Sequence, residues 1–335
     1  MPLAGVGLAL ATPDALLLLC WSLALAALAT ALAPGATPAS AMRRWLLAGA
    51  ALGLAMDAKY TAILLVPGVA IALLAHPRLR RALATPAPYA ALAVALLLFS
   101  PNLRWNATHA WATVGYGLAR GLDAHRGSAL AHEAGLFGGQ LALVSPLLLA
   151  ILAFAAWHAV RQRADPVRAT LGIVAVVTWV AFVGSALRSV VEPNWQAPAY
   201  LSAIALAASY EGGAQWHRAL RAAVVLGGVL TVCISAQALV PFLPISASLD
   251  PTATGAGWDS LADRVHAARA TVPASVTAWV GGERYQEASE LAFHLPDHPP
   301  TFVIDVRARP TEYDRWPSFA QRARRGDALV LVLGT

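Results

Sequence analysis

Arg188, Glu192, Asn194 and Trp195 fall within eight residues of "RSVVEPNWQAPAY", between two almost purely apolar runs. A cation, a carboxylate, an amide and an indole are a ligand-binding kit. Guanidinium and ammonium groups neutralise phosphate. Aromatic faces stack on sugar rings, and a carboxylate can hold a hydroxyl or take its proton. The same residue types recur in three other places: Asp14 in "TPD", Asp57, Lys59 and Tyr60 in "MDAKYT", and Arg104, Trp105, Asn106, His109 and Trp111 in "RWNATHAW". Each has a plainer reading. Lys59 can snorkel to an interface, the tryptophans can form an aromatic belt, Arg188 and Glu192 can be a structural i,i+4 pair, and Asp14 can serve its helix end.

The elements that would position them are apolar. The 335 residues are 58% hydrophobic and 13% charged, where a soluble chain would carry about a quarter charged residues. Runs near 20 residues match the ~30 Å core of a bilayer. The net charge of +6 therefore marks loop arginines and not a nucleic-acid partner. The expected membrane helices are 13–33, 44–57, 60–75, 86–103, 133–157, 167–187, 195–210 and 217–241. Thr12 is expected to cap the first, with Pro13 in its first turn. Reading 44–57 and 60–75 as a hairpin places ten cations on one side: Arg43, Arg44, Arg78, Arg80, Arg81, Arg161, Arg163, Arg168, Arg218 and Arg221. Lys59, Arg104, Arg120, Arg126 and Arg188 fall on the other. The positive-inside rule makes the ten-cation side cytoplasmic, so the chemistry-bearing residues face outward. Polar groups gathered beside a membrane usually form a site.

Near residue 250 the pattern changes. "GWDSLADRVHAARATVP" has helical spacing with Leu261, Val265 and Ala268 on one face. "SVTAWV", "TFVIDV" and "DALVLVLG" read as strands, with "YQEASELAFHL" helical between the first two. Two domains are expected: a transmembrane one over 1–245 and a small extracytoplasmic α/β one over 250–335. Cys20 and Cys233 read as small buried hydrophobes, and no metal-ligand or disulfide spacing is present. His132-Glu133 and Asp297-His298 read as surface or structural pairs. Asn106-Ala107-Thr108 is a bare glycosylation sequon. No P-loop, GxGxxG, GxSxG or HExxH occurs. Residues 1–11 read as the tail of an apolar segment, so the chain is expected to begin inside a longer protein.

"LATPDALLLLCWSLALAAL", "RWLLAGAALGLAMDAKYTAILLVPG", "PNLRWNATHAW" and "LRSVVEPNWQAPAYL", in that order, resemble bacterial membrane glycosyltransferases of the dolichyl-phosphate-mannose protein mannosyltransferase-like group. The aminoarabinose transferase of lipid A modification is a relative. The tail "GWDSLADRV…ERYQEASELAFHLPDHP…RPTEYDRWP" is similar to the extracytoplasmic domain of one branch. The resemblance implies a GT-C architecture in the bacterial inner membrane, with the C-terminal domain outside. It implies a polyprenyl-phosphate sugar donor, an acceptor of unidentified kind (lipid, glycan or protein), and an inverting displacement in which lipid phosphate leaves. No cofactor is implied, and a divalent metal stays open. Lys59 is then the expected donor-phosphate ligand, followed by Arg188 and Arg104. Tyr60, Asn106, His109, Trp111, Asn194 and Trp195 are the expected substrate contacts. The family's catalytic acids sit in a first outer loop near a Tyr-Tyr-Asp-His-Pro-Pro-like stretch that nothing here matches. Asp14 and Glu192 are left as candidate carboxylates, and the chain is expected to lack its main catalytic loop. A transporter or flippase for a lipid-linked sugar, and a non-catalytic scaffold, are the rival classes.

Overall fold

The computed structural model describes residues 1–5, 7, 12–122, 127–162, 164–246, 250–304 and 311–334. Arg126 and Arg163 lie outside the described residues, and so does the side chain of Arg120. The chain forms two compact units, Met1–Cys233 and Ile234–Thr335.

The first unit is helical. After a short α1 (Pro2–Gly5) come α2 (Pro13–Ala31), α3 (Pro38–Ala58) and α4 (Leu65–Ala75), the last entered through a 3-10 turn at Tyr60–Leu64. Then follow α5 (Ala87–Thr108), α6 (Ala112–Leu122), α7 (Ala129–Val144), α8 (Pro146–Arg161), α9 (Pro166–Ala186), α10 (Ala197–Ala208) and α11 (Gly213–Leu239). Among the described residues, four helices are long and apolar enough to cross a bilayer, or five if α7 and α8 make one broken span. Their outward faces stay apolar, with Leu19, Leu23, Leu96, Leu97 and Val180 all exposed. Water would not tolerate such faces, but lipid does. This is a multi-pass membrane protein.

The eight-span expectation needs three corrections. The segment expected as one helix over 133–157 is α7 and α8, bent by 101° at Ser145, whose φ is 83°. Pro146 removes the N–H that a straight helix would need there. The second helix begins at Pro38, not residue 44, and runs 21 residues. The Thr12 side chain makes no capping hydrogen bond.

The hairpin holds. Trp45, Ala48 and Leu52 of α3 and Leu65, Val69 and Leu73 of α4 line one cavity. Lys59 is extended (φ −159°, ψ 128°) and breaks the run. Pro67 supplies a reason. It sits in the first turn of α4, where no N–H is required, whereas a helix running through from α3 would need one. Glycine seals α3 against α5. A Cβ on Gly49 would overlap the Ala91 carbonyl oxygen, and one on Gly53 would come within 2.8 Å of the Ala95 carbonyl. The GxxxG spacing thus lets two backbones touch.

The arginine-bearing loops share one end of the bundle. Arg44 donates to the Thr30 carbonyl, Arg78 to that of Ala164, and Arg168 to that of Ser209. Cys20 is buried, but Cys233 is exposed, so only one of the two is a buried hydrophobe.

The second unit holds α12 (Trp258–Ala270), β1 (Ala278–Gly282), α13 (Tyr285–His294), β2 (Thr301–Val303), α14 (Phe319–Arg322) and β3 (Ala328–Val332). The strands form a parallel sheet in the order β2-β1-β3, with Val280 opposite Thr301 and Val330. Ala262, Val265, Val280, Leu291 and Leu295 make its core. The α12 face therefore pairs Ala262 with Val265, while Ala268 points outward. Asp297 receives a bidentate hydrogen bond from Arg269, at 2.8 Å on each arm, which bears out the structural reading of Asp297.

Candidate functional site

At the end of the bundle opposite the arginine loops, four distant segments meet. The first turn of α2 carries Asp14, which suits the positive end of that helix. The α3–α4 break presents Lys59, and the 3-10 turn at Pro193–Gln196 presents Asn194. The Lys59 ammonium donates to Asp14 Oδ1 at 2.6 Å, and the Asn194 amide donates to Asp14 Oδ2 at 2.9 Å. Both carboxylate oxygens are thereby engaged. The pair is largely buried, with 23% and 14% of the side chains exposed. The ammonium also lies 5.8 Å from the centre of the Trp195 ring, within cation–π range.

Beside it, Tyr60 donates to Asn102 Oδ1, and Asn106 donates to the Tyr60 hydroxyl and to Asn102 Oδ1, each at 2.9 Å. Asn102 and Asn106 are four apart on α5, hence on one face. The helix reaches them despite Pro101, because Ser100 Oγ donates to the Leu97 carbonyl that the proline leaves without a partner (2.7 Å). Membrane helices tolerate proline on such terms. With its amide committed and its side chain buried, Asn106 is no glycosylation acceptor.

The turn behaves as proline chemistry dictates. Glu192 precedes Pro193 and is extended (φ −67°, ψ 132°), as a residue before proline should be. Glu192 is exposed at the rim. Arg188 is exposed too, and among the described residues no ion pair joins it to Glu192, so the plainer reading of a structural i,i+4 pair gains no support. Arg104 and Trp111 are exposed as well, and His109 stacks on Trp105 with ring centres 4.2 Å apart. These last groups stand around the buried cluster and are not part of it.

Three residues passed over in the sequence support the turn or the Tyr60 side chain beside it. Gln140 of α7 donates to the Pro193 carbonyl at 2.8 Å and accepts from the Tyr200 hydroxyl. Gly139 leaves room for the Pro193 ring, since a Cβ there would overlap Pro193 Cγ. Asn102 is the third. Of the surface and structural readings of His132-Glu133, burial favours the structural one: His132 is 7% exposed, and among the described residues neither its ring nitrogens nor the carboxylate oxygens of Glu133 have a hydrogen-bond partner. Among the described residues, no group of three or more His, Cys, Asp or Glu is placed to hold a metal ion.

Among the described residues, this end of the bundle gathers a largely buried cation, a carboxylate, an amide and an indole face. Comparison with known proteins narrows the class. The family model for dolichyl-phosphate-mannose-protein mannosyltransferase matches residues 1–105, the stretch that contains Asp14, Lys59, Tyr60 and Asn102. The chain is 28% identical over 213 residues to the lipid A galacturonosyltransferase RgtD of Rhizobium johnstonii, covering 58% of this chain and 41% of that one. A crystal structure of ArnT from Cupriavidus metallidurans in the apo state matches with TM-score 0.46 and 18% identity, over 79% of this chain and 48% of that one. The resemblance to membrane glycosyltransferases read in the sequence is thus borne out. The chain spans less than half the length of each of these relatives.

Proposed function

We propose that the Asp14–Lys59–Asn194 cluster binds the phosphate of a polyprenyl-phosphate sugar, and that the protein transfers this sugar to an acceptor outside the cytoplasm. The observation that carries the reading is Lys59. A lone ammonium at the membrane edge would extend toward water. Here it is drawn in, held between a carboxylate and an indole face, and aimed by a third segment. Such support of a single cation is what a leaving phosphate requires. In this reading Asp14, which accepts from both Lys59 and Asn194, positions Lys59. Trp195 and Tyr60 present aromatic surface for the sugar, and Glu192 is the carboxylate at the rim where an acceptor hydroxyl would arrive. The sugar class follows the relative: RgtD is a galacturonosyltransferase, so a hexuronic acid is the first donor to try.

The test is donor binding and transfer in nanodiscs. Lys59→Ala should weaken undecaprenyl phosphate binding by about 10- to 100-fold, the equivalent of ~1.5–3 kcal/mol for a charge-assisted contact. Lys59→Arg should restore only part, because a guanidinium fork does not reproduce a point charge. In the same assay, Glu192→Gln should cut transfer while leaving undecaprenyl phosphate affinity unchanged. Undiminished affinity in Lys59→Ala would reduce Lys59 to a structural ion pair.

A further inference from the structure

We infer that the C-terminal unit carries a saccharide-binding cleft of its own, beside the free edge of β2. The inference stands on this unit alone and does not depend on the membrane cluster. A cleft of about 700 Å³ opens between α13, β2 and the segment 313–322, a size within the ordinary range for small-ligand sites. Its walls hold Phe302, Tyr313, Trp316 and Phe319, with Asp314 and Arg322 among them.

Three observations point to a ligand. First, Tyr313, Trp316 and Phe319 lie outside the core of the unit, which Ala262, Val265, Val280, Leu291 and Leu295 make; Phe302 alone of the four is buried. The rings meet in two pairs, Phe302 with Phe319 at 5.7 Å and Tyr313 with Trp316 at 4.9 Å between centres, and Phe302 also meets Trp279 at 5.5 Å. Second, Trp316 is 57% exposed. A large indole left open beside a concavity gains by being covered. Third, the polar groups are committed on one side only. Tyr313 shares a hydrogen bond with Ser289 at 3.0 Å, which fixes its ring. Asp314 spends one oxygen on the Thr311 amide. Arg322 is exposed, and no hydrogen bond or ion pair of its guanidinium is found among the described residues. Pro299, Pro300 and Pro317 stiffen the walls, so little ordering opposes binding.

Fixed aromatic faces with a guanidinium and a carboxylate at their margin suit a hydroxyl-rich ring. The ring's C–H face lies on the indole, and its hydroxyl or carboxylate groups meet Arg322 and Asp314. A polypeptide adding to the sheet edge is the other occupant such a place could take. But β2 is only three residues long and offers too few ladder groups for strand addition to supply affinity.

The experiment titrates the full chain in nanodiscs with tetragalacturonic acid, with maltotetraose and with an eight-residue extended peptide, following tryptophan fluorescence and calorimetric heat. We expect both sugars to bind, the anionic one more tightly. Trp316→Ala should weaken both at least tenfold, and Trp316→Phe should keep most of the affinity. Arg322→Gln should weaken tetragalacturonic acid more than maltotetraose. Both positions are exposed, and matched thermal melts will show that the variants are folded. Absence of sugar binding to the parent protein, unchanged binding in Trp316→Ala, or binding of the peptide in place of the sugars would each overturn the assignment.

Discussion

At the scale of single residues, the cluster is a matter of commitments. Asp14 accepts one hydrogen bond on each oxygen, from Lys59 and from Asn194. Gln140 is the same kind of residue one layer further in. It satisfies the Pro193 carbonyl with its amide and the Tyr200 hydroxyl with its oxygen. Gln140→Leu would keep the volume and leave two buried polar groups unpaired. It should lower unfolding stability by about 1–3 kcal/mol, read as a lower melting temperature in detergent. Asp14, Lys59, Asn194 and Trp195 were legible in the sequence because polar residues stand out between apolar runs. Gln140 and Asn102 were not, because each matters through a partner tens of residues away. His132 was left between a surface and a structural reading for the converse reason. Nothing in its neighbours along the chain announces that the fold buries it.

At the scale of elements, backbone contact decides the geometry. α3 and α5 touch through Gly49 and Gly53 against Ala91 and Ala95, and this contact lets Asn102 and Asn106 reach Tyr60. Gly49→Leu should therefore force the helices apart. The expected destabilisation is at least the 1–3 kcal/mol typical of overpacking, with loss of the Tyr60 contacts. Crosslinking yield between cysteines at Ala48 and Leu92 would report the separation. The helix positions were readable from apolar run length and proline placement. The break at Ser145 was not. The run 133–157 is continuous in hydropathy, and only a positive φ before Pro146 divides it.

At the scale of the whole molecule, the two units answer to different physics. In the membrane unit, the arginine loops and the polar cluster stand at opposite ends of the bundle. The charge bias then predicts that reporter fusions at Ala39 and Thr254 give opposite signals; equal signals would contradict that sidedness. The C-terminal unit answers to pH. Hydrogen bonding from Arg269 holds the Asp297 carboxyl below its ordinary value of 3.8. The Arg324 amide, helped by Trp279, does the same for Asp327. A depressed carboxylate adds stability that is complete above the unfolded value, from about pH 5 upward, and lost as pH falls through the folded value. Circular-dichroism melts between pH 6 and 2 should show this loss, and Asp297→Asn should flatten it. The strand-and-helix alternation of this unit was legible from its β-rich runs. Its first strand, expected over 275–280, begins three residues later and ends two later, because Gly281 and Gly282, poor strand formers by propensity, pair with both neighbours.

The spread of the cluster along the chain also has a consequence in time. Lys59 lies 45 residues after Asp14, and Asn194 lies 180 after it. At ~5–20 residues per second of synthesis, Asp14 emerges roughly 10–40 s before Asn194 exists. Lys59 arrives within the first quarter of that wait. The ion pair is therefore an early assembly, able to shelter a carboxylate at the membrane edge while later helices are made, and the amide of Asn194 closes it last.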